Sequence, residues 1–333
     1  LRDGIMSKIL ITGSEGFIGF HLAKRLLDEG HEIIGVDIIS NYYDVEMKKR
    51  RNEQLFESNT YSFYKVNLAD YKALEHIVEI DRPDFIIHLA AQAGVRYSLE
   101  NPWAYAESNY MGTLNIFEVA KRFNIKKVLY ASSSSIYGDS EEYPFSESQR
   151  TDTPISLYAA TKKANEALAY SYAKLYDMDI IGFRFFTVYG EYNRPDMALF
   201  KFAKNIMLDK EITVYNNGDM YRAFTYVGDV VDGLVRAMKL NNCGYRIYNI
   251  GGEKAIKLTK YIELIEENLD KKAQIKYEPM HKADCLKTEA DVSQAKEDFG
   301  YSPKVPIEEG IKIFCDWFVA NRTWVLDLKE PRQ

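Results

Sequence analysis

From Lys8 to about residue 190, short β-branched runs alternate with longer stretches of helical period. KILIT is followed by FIGFHLAKRLLDEG and HEIIGVD, and later strand-like runs stand at DFIIHLA, KVLYASS and DIIGFRFF. Runs that are apolar at nearly every position predict parallel strands covered on both faces by helices. The expected fold is therefore α/β, with a doubly wound parallel sheet. Beyond Gly190 the rhythm loosens, predicting a helix at about 196–208, short strands near 212–215 and 246–250, and helices near 258–269 and 306–319. This divides the chain into a sheet domain over 6–190, to which later segments can return, and a smaller C-terminal α/β lobe over 191–330. No repeat, low-complexity tract or flexible linker separates them, so the two are expected to pack together.

The composition, with 46% hydrophobic and 28% charged residues, 19 Gly and 9 Pro among 333 residues, excludes disordered and collagen-like classes. A net charge of -6 argues against a nucleic-acid or anionic-membrane surface; KKRR at 48–51 is the one basic cluster. Cys243, Cys285 and Cys315 lie far apart, and the five histidines have no zinc spacing, so neither a disulfide framework nor a metal site is expected. No run approaches the roughly 20 apolar residues that span a bilayer, and ILITG at 9–13 is too short for a signal peptide. These features lead to the expectation of a cytoplasmic protein with reduced thiols and no membrane or nucleic-acid partner.

Directly after the first strand comes GSEGFIG, with Gly13, Gly16 and Gly19, and a helix is expected to begin within it. Glycines there permit a tight turn, close approach of backbone to a pyrophosphate, and packing of helix on strand, while the helix N-terminus offers free N–H groups. The next strand ends in Asp37, where a carboxylate accepts hydrogen bonds from adenosine ribose hydroxyls and repels a 2′-phosphate. The sheet domain is thus expected to be of Rossmann type and to bind NAD in preference to NADP.

In SLYAATKKANEALAYSYAKLY, Tyr158 and Lys162 are one helical turn apart and share a face. A phenol is a poor base at neutral pH, but a nearby ammonium and a nicotinamide cation favour its phenolate. Such a tyrosine can exchange a proton with a sugar hydroxyl while hydride moves to the cofactor. Upstream, KVLYASSSSIYG ends a strand in four serines, one of which could hold the reacting oxygen. Tyr172 and Tyr176, on the same predicted helix, read as packing residues.

Together with HLAAQAGVRYSLENP at 88–102, SSSSIYG at 132–138 and FRFFTVYG at 183–190, these motifs resemble the extended short-chain dehydrogenase/reductase family over nearly the whole chain. Within it, NYYDVEMKKRR, RPDMALF, VYNNGDMYRAFTYVGDVVDG and EADVSQAKEDFGYSPKVPIEEGI are most similar to UDP-glucuronate 4-epimerases. The resemblance implies Ser133, Tyr158 and Lys162 as the catalytic set. It also implies that Phe17 and Ile18 join the glycine turn, that Asn67 and Leu68 lie by the adenine, and that Leu89, Ala90, Ala91 and Asn109 line the cofactor groove. On the substrate side it implies Ser134 and Thr187, Arg194 for the sugar carboxylate, Arg222 and Asp284 for the diphosphate, and Thr288 for the sugar pocket. A homodimer is implied as well, with helices at about 104–123 and 155–176 pairing into a four-helix bundle.

The chain departs from the family's usual pattern at Ala223 and Gly228, where aspartates are common, and at Asn67. Related 4,6-dehydratases and UDP-glucuronate decarboxylases usually carry acids where this chain has Ser134 and Ser135, which disfavours their chemistry. The resemblance implies NAD-dependent C4 epimerisation of a UDP-hexuronate through a 4-keto intermediate. The alternatives are a UDP-glucose or UDP-N-acetylhexosamine 4-epimerase, with decarboxylase, dehydratase and a non-catalytic NAD-binding protein ranked below.

Overall fold

The computed structural model describes residues 6–252, 254–280 and 285–329. Its centre is a seven-stranded sheet in the order β11-β6-β5-β4-β1-β2-β3. The strands are β1 (Lys8–Thr12), β2 (Glu32–Asp37), β3 (Tyr61–Lys65), β4 (Phe85–His88), β5 (Lys127–Ser133), β6 (Asp179–Phe185) and β11 (Tyr245–Ile250), all paired parallel. Ile9, Leu10, Ile11, Ile33, Ile34, Ile86, Ile87, Val128, Leu129, Ile180 and Ile181 are fully buried, as strands covered on both faces require.

The connections carry α1 (Phe17–Asp28), α2 (Val45–Leu55), α3 (Tyr71–Asp81), the short α4 (Tyr97–Glu100) and α5 (Pro102–Tyr105), α6 (Gly112–Arg122) and α7 (Leu157–Tyr176). Side chains cap four of them: Asp44 accepts from Glu46 N at 3.0 Å, Asp70 from Ala73 N at 3.1 Å, Asn101 from Ala104 N at 3.4 Å and Ser156 from Ala159 N at 3.1 Å, satisfying N–H groups that the first helical turn leaves open. The stretch expected as one helix at about 104–123 is instead α5, a π-helical turn at Ala106–Met111, and α6. The wide turn contains Asn109, whose buried amide is engaged with Gln92 and Thr161.

A second core gathers Tyr189, Leu199, Phe200, Ile212, Val214, Tyr261, Ile311, Phe314 and Phe318. It is built from β7 (Thr187–Tyr189), α8 (Ala198–Met207), β8 (Glu211–Tyr215), β10 (Phe224–Tyr226), α10 (Leu258–Leu269), α12 (Ile307–Ala320) and α13 (Arg322–Val325), with β9 (Tyr221–Arg222), β12 (Ile256–Lys257) and β13 (Gln274–Glu278) at its edge, whereas α9 (Val227–Ala237) and α11 (Ser293–Phe299) pack on the main core. The strand expected near 246–250 is β11, which lies in the main sheet. Its entry is fixed by the Asp179 carboxylate at the head of β6, which accepts from Asn242, Cys243 and Gly244 N, each at 2.8 Å.

The basic cluster at 48–51 is turned inward at two of its four positions. Lys48 and Arg51 are buried, and Arg51 donates to Glu15 O at 2.7 Å, Tyr43 OH at 2.8 Å and Tyr192 O at 2.6 Å. One guanidinium thus joins the turn after β1 to the segment that opens the second lobe. Tyr172 packs as expected, but Tyr176 is 39% exposed, with its ring edge on Tyr172.

Candidate active site

The glycine turn links β1 to α1, and Gly16 is the N-cap of that helix with no side-chain cap bond, so the first N–H groups face outward for an anion. A Cβ on Gly13, whose φ is +75°, would come within 2.8 Å of Ala90 N. On Gly16 and Gly19 it would come within 2.8 and 2.0 Å of Gly13 O. The spacing of the three glycines is therefore a steric requirement. Phe17 is buried and Ile18 packs on the same core.

The opposite wall is held by a buried chain of hydrogen bonds. Ala90 N donates to Thr12 Oγ1 at 3.2 Å, Thr12 Oγ1 meets His88 Nδ1 at 2.7 Å, and His88 Nε2 meets Thr113 Oγ1 at 2.9 Å. Burial, with Lys162 nearby, drives His88 down to about 3, so the ring is neutral. The neutral ring carries one N–H, so it donates to one of the two threonine hydroxyls and accepts from the other. Leu89, Ala90 and Ala91 are half-buried along this wall.

Asp37 ends β2, and both of its internal bonds fall on one oxygen: Oδ1 accepts from Lys48 Nζ at 2.8 Å and from Ile39 N at 2.7 Å. Burial opposes the charge on Lys48, yet the Asp37 carboxylate and Tyr43 outweigh it and hold the ammonium above its ordinary value. Glu15, between the first two glycines, is fully buried and accepts from Ser14 Oγ and Tyr61 OH, each at 2.6 Å. Burial, reinforced by Asp37, pushes its carboxyl up to about 7.

Asn109 is 1% exposed, with its amide committed to Gln92 N at 2.7 Å, Gln92 O at 3.1 Å and Thr161 Oγ1 at 3.1 Å, so it braces the groove wall. Asn67 accepts from Ala69 N at 3.0 Å and donates to Glu107 Oε1 at 2.8 Å. Buried Leu68 offers its carbonyl to Asn115 at 2.7 Å.

Ser133, Tyr158 and Lys162 come together where the end of β5 meets the first turns of α7. The Tyr158 phenol lies beside Ser133, whose Oγ accepts from Ser135 N at 3.1 Å and donates to Ser135 Oγ at 3.1 Å. Lys162 donates to Ala131 O at 2.9 Å, and its Nζ lies 6.0 Å from the Tyr158 ring centroid. Sequence reasoning has the ammonium lower the phenol's pKa; here burial raises Tyr158, opposed by Ser133 and the charge of Arg194. Burial also lowers Lys162 itself, to about 8.

Arg194 lies on the second-lobe side of the phenol and forks onto Asp196, with Nε to Oδ1 at 3.0 Å and Nη2 on Oδ2. Burial works against its charge, but Asp196 holds the guanidinium above its ordinary range. Ser134 opens the turn after β5, and Thr187 opens β7 in register with Phe224. Arg222 donates to Tyr221 O at 2.9 Å and Leu286 O at 3.1 Å. The Thr288 hydroxyl accepts from Ala223 N at 3.2 Å, so that side chain ties its segment to β9–β10. Asp284 lies outside the described residues.

Comparison with known proteins identifies the architecture. The profile of the NAD dependent epimerase/dehydratase family matches residues 9–251. The chain belongs to this family. An uncharacterized protein of Methanocaldococcus jannaschii is 56% identical over 96% of this chain and 98% of its own length. A UDP-glucuronate 4-epimerase of Thermodesulfobacterium geofontis is 43% identical over 97% of this chain and all of its own. Among solved structures, UDP-glucuronic acid 4-epimerase from Bacillus cereus in complex with UDP-glucuronic acid and NAD matches with a TM-score of 0.89 and 30% identity, over 94% of this chain and 99% of that one.

As a member of the NAD dependent epimerase/dehydratase family, the chain has NAD for its cofactor, and its residues fit that group. The glycine turn leaves no room for side chains, α1 presents uncapped N–H groups, and Asp37 keeps Oδ2 for ribose hydroxyls because Lys48 and Ile39 both use Oδ1. Glu15, Lys48 and the His88 chain are parts of this apparatus that sequence reasoning missed. For Glu15 the signal was present, as an acid between two required glycines.

Proposed function

We propose that this protein interconverts UDP-glucuronate and UDP-galacturonate by oxidising and re-reducing C4. The observation that carries the reading is the Tyr158–Ser133 pair with the Arg194 charge beside it: a proton acceptor and a cation for the substrate on one face of the cleft. The 43% identity to a named UDP-glucuronate 4-epimerase supports it.

Bound NAD supplies a hydride acceptor that later returns the hydride to the same carbon. Ser133 and Tyr158 hold the sugar O4, and Tyr158, as the phenolate that Ser133, Arg194 and the positive charge of bound NAD favour, takes its proton as C4 is oxidised. Rotation of the 4-keto sugar presents its other face, and the same phenol returns the proton. Lys162, anchored on Ala131 O, keeps a positive charge under the ring up to about its pKa of 8. On this reading residues 6–190, completed by β11, bind NAD, and most of 191–330 binds the UDP-sugar through Arg194, Arg222 and Thr288, with Ser134 and Thr187 contributed by the first domain and Asp284 assigned from sequence.

A 4-keto hexuronate is a β-keto acid and loses CO2 when its C5–C6 bond stands perpendicular to the carbonyl. Arg194, held in a fixed plane by Asp196, is the group we assign to restrain the carboxylate, since a planar fork can bond both oxygens.

The protein acts in the cytoplasm as a homodimer. Three free thiols, Cys243, Cys285 and Cys315, support the location. The dimer is supported by large apolar side chains left exposed on α5 and α7, with Trp103 80%, Leu175 72% and Tyr170 52% exposed. Incubation with UDP-glucuronate, UDP-glucose and UDP-N-acetylglucosamine tests the proposal. Turnover of the uronate supports it, and turnover of the neutral sugars alone refutes it in favour of a neutral-sugar epimerase.

A further inference from the structure

Three consecutive residues at the end of β5 each engage one residue of α7. Ala131 O accepts from Lys162 Nζ at 2.9 Å, Ser133 lies beside Tyr158, and between them Ser132 Oγ donates to Glu166 Oε1 at 2.7 Å. Tyr158, Lys162 and Glu166 recur every fourth residue and so share one helix face. The first two pairs belong to the proton-transfer set, whereas the third has no part in the chemistry above.

Glu166 is buried, and its carboxylate is forked by Arg184, with Nε on Oε1 at 3.0 Å and Nη2 on Oε2 at 2.9 Å. Arg184 is the register partner of Ser132 on the adjacent strand β6. Its Nη1 donates to Tyr137 OH at 3.0 Å, and Tyr137 donates to Asn249 Oδ1 at 2.7 Å. Asn249 in turn donates to Phe145 O at 2.8 Å and Asp291 O at 3.0 Å. One carboxylate therefore ties α7 to β5 and β6 and, through Tyr137, to β11. Desolvation offsets most of the Coulomb gain of a buried ion pair, so stability alone does not account for placing a charge there.

We propose that Glu166, gripped by Ser132 and Arg184, is a positioning residue that sets the depth and rotation of α7 against β5, and with them the contact of Tyr158 with Ser133 and of Lys162 with Ala131. The inference rests on the epimerase reading of the site. A shift of α7 would lengthen the path of the proton while leaving in place the glycine turn, Asp37, Arg194 and Arg222, which lie on other elements.

The test uses full-length NAD-loaded protein with Ser132→Ala, which leaves the ion pair intact, and Glu166→Gln, which leaves Arg184 without its charge partner. With UDP-glucuronate, Ser132→Ala is expected to lower kcat about tenfold with KM unchanged, a fraction of the roughly 100-fold that a 1 Å misplacement costs, and to move the pH–rate profile. Glu166→Gln is expected to lose more. Should Glu166→Gln fail to fold, Ser132→Ala alone decides. An unchanged kcat and pH profile in Ser132→Ala, whatever happens to its melting temperature, overturns the proposal. If the wild-type protein turns over no UDP-sugar, the functional reading fails. The positional claim is then read from the Tyr158 titration, followed by ultraviolet difference absorbance against Tyr158→Phe. Ser132→Ala should shift that titration, and an unshifted one overturns the claim.

Discussion

Lys48 Nζ donates to Asp37 Oδ1 at 2.8 Å, on the same oxygen that accepts from Ile39 N. The pair is buried, and it turns the other carboxylate oxygen into the ribose acceptor. Replacing Asp37 by Ser removes that acceptor and releases a cation at the adenosine end. NAD affinity should fall by about tenfold or more, given 1.5–3 kcal/mol for a hydrogen bond to a charged group, while NADP affinity rises. Equilibrium dialysis of cofactor-stripped protein against each dinucleotide measures both, and unaltered selectivity would contradict the role given to Asp37.

Tyr158→Phe removes the proton acceptor and leaves the ring. Turnover should drop by about 10²- to 10⁴-fold, the usual contribution of a general acid–base group, with bound NAD retained. Mass spectrometry of the denatured variant measures the cofactor, and near-normal turnover would rule out this tyrosine as the acid–base.

Glu15 titrates at about 7 in the folded chain against an ordinary 4.5, chiefly because it is buried and then because Asp37 is near. A raised carboxyl binds its proton more tightly when folded, so its contribution to stability is complete below pH 4.5 and is lost as pH rises through 7. Glu15→Gln keeps one acceptor oxygen and puts a donor at the other position, as the protonated carboxyl does, and removes the titration. Denaturant unfolding should find wild type losing stability relative to this variant between pH 4.5 and 7, and parallel curves would refute the assignment.

Arg194→Ala should weaken UDP-glucuronate at least tenfold, on the scale of a lost charge-assisted pair, while UDP-glucose changes little. Release of CO2 and a UDP-pentose would mark loss of carboxylate restraint. Equal effects on the two sugars would remove Arg194 from carboxylate recognition.

Trp103→Glu places a charge on the most exposed large apolar side chain among the described residues, at 80% exposure. Light scattering should give a dimer for the wild-type protein and a monomer for the variant, and a monomeric wild type would refute the assembly.

The glycine turn, Asp37 and the Tyr158–Lys162 pair were legible because each signal is local: a strand followed by glycines, an acid closing the next strand, and two residues one helical turn apart. What escaped were partners joined only by folding. Lys48 reads as part of a surface cluster until α2 packs against β2, and Ser132, Glu166 and Arg184 come from three elements. The strand at 245–250 follows the looser second half of the chain, and only the Asp179 carboxylate shows that it returns to the sheet. For Tyr158, spacing fixes which residues are neighbours and says nothing of burial, which outweighs the other protein groups acting on this phenol.

The most direct test is proton NMR of the wild-type protein with UDP-glucuronate in D2O. Hydride that leaves C4 and returns to it predicts UDP-galacturonate carrying no deuterium at C4 or C5. Deuterium at either carbon, a UDP-pentose with CO2, or unchanged UDP-glucuronate would contradict the account.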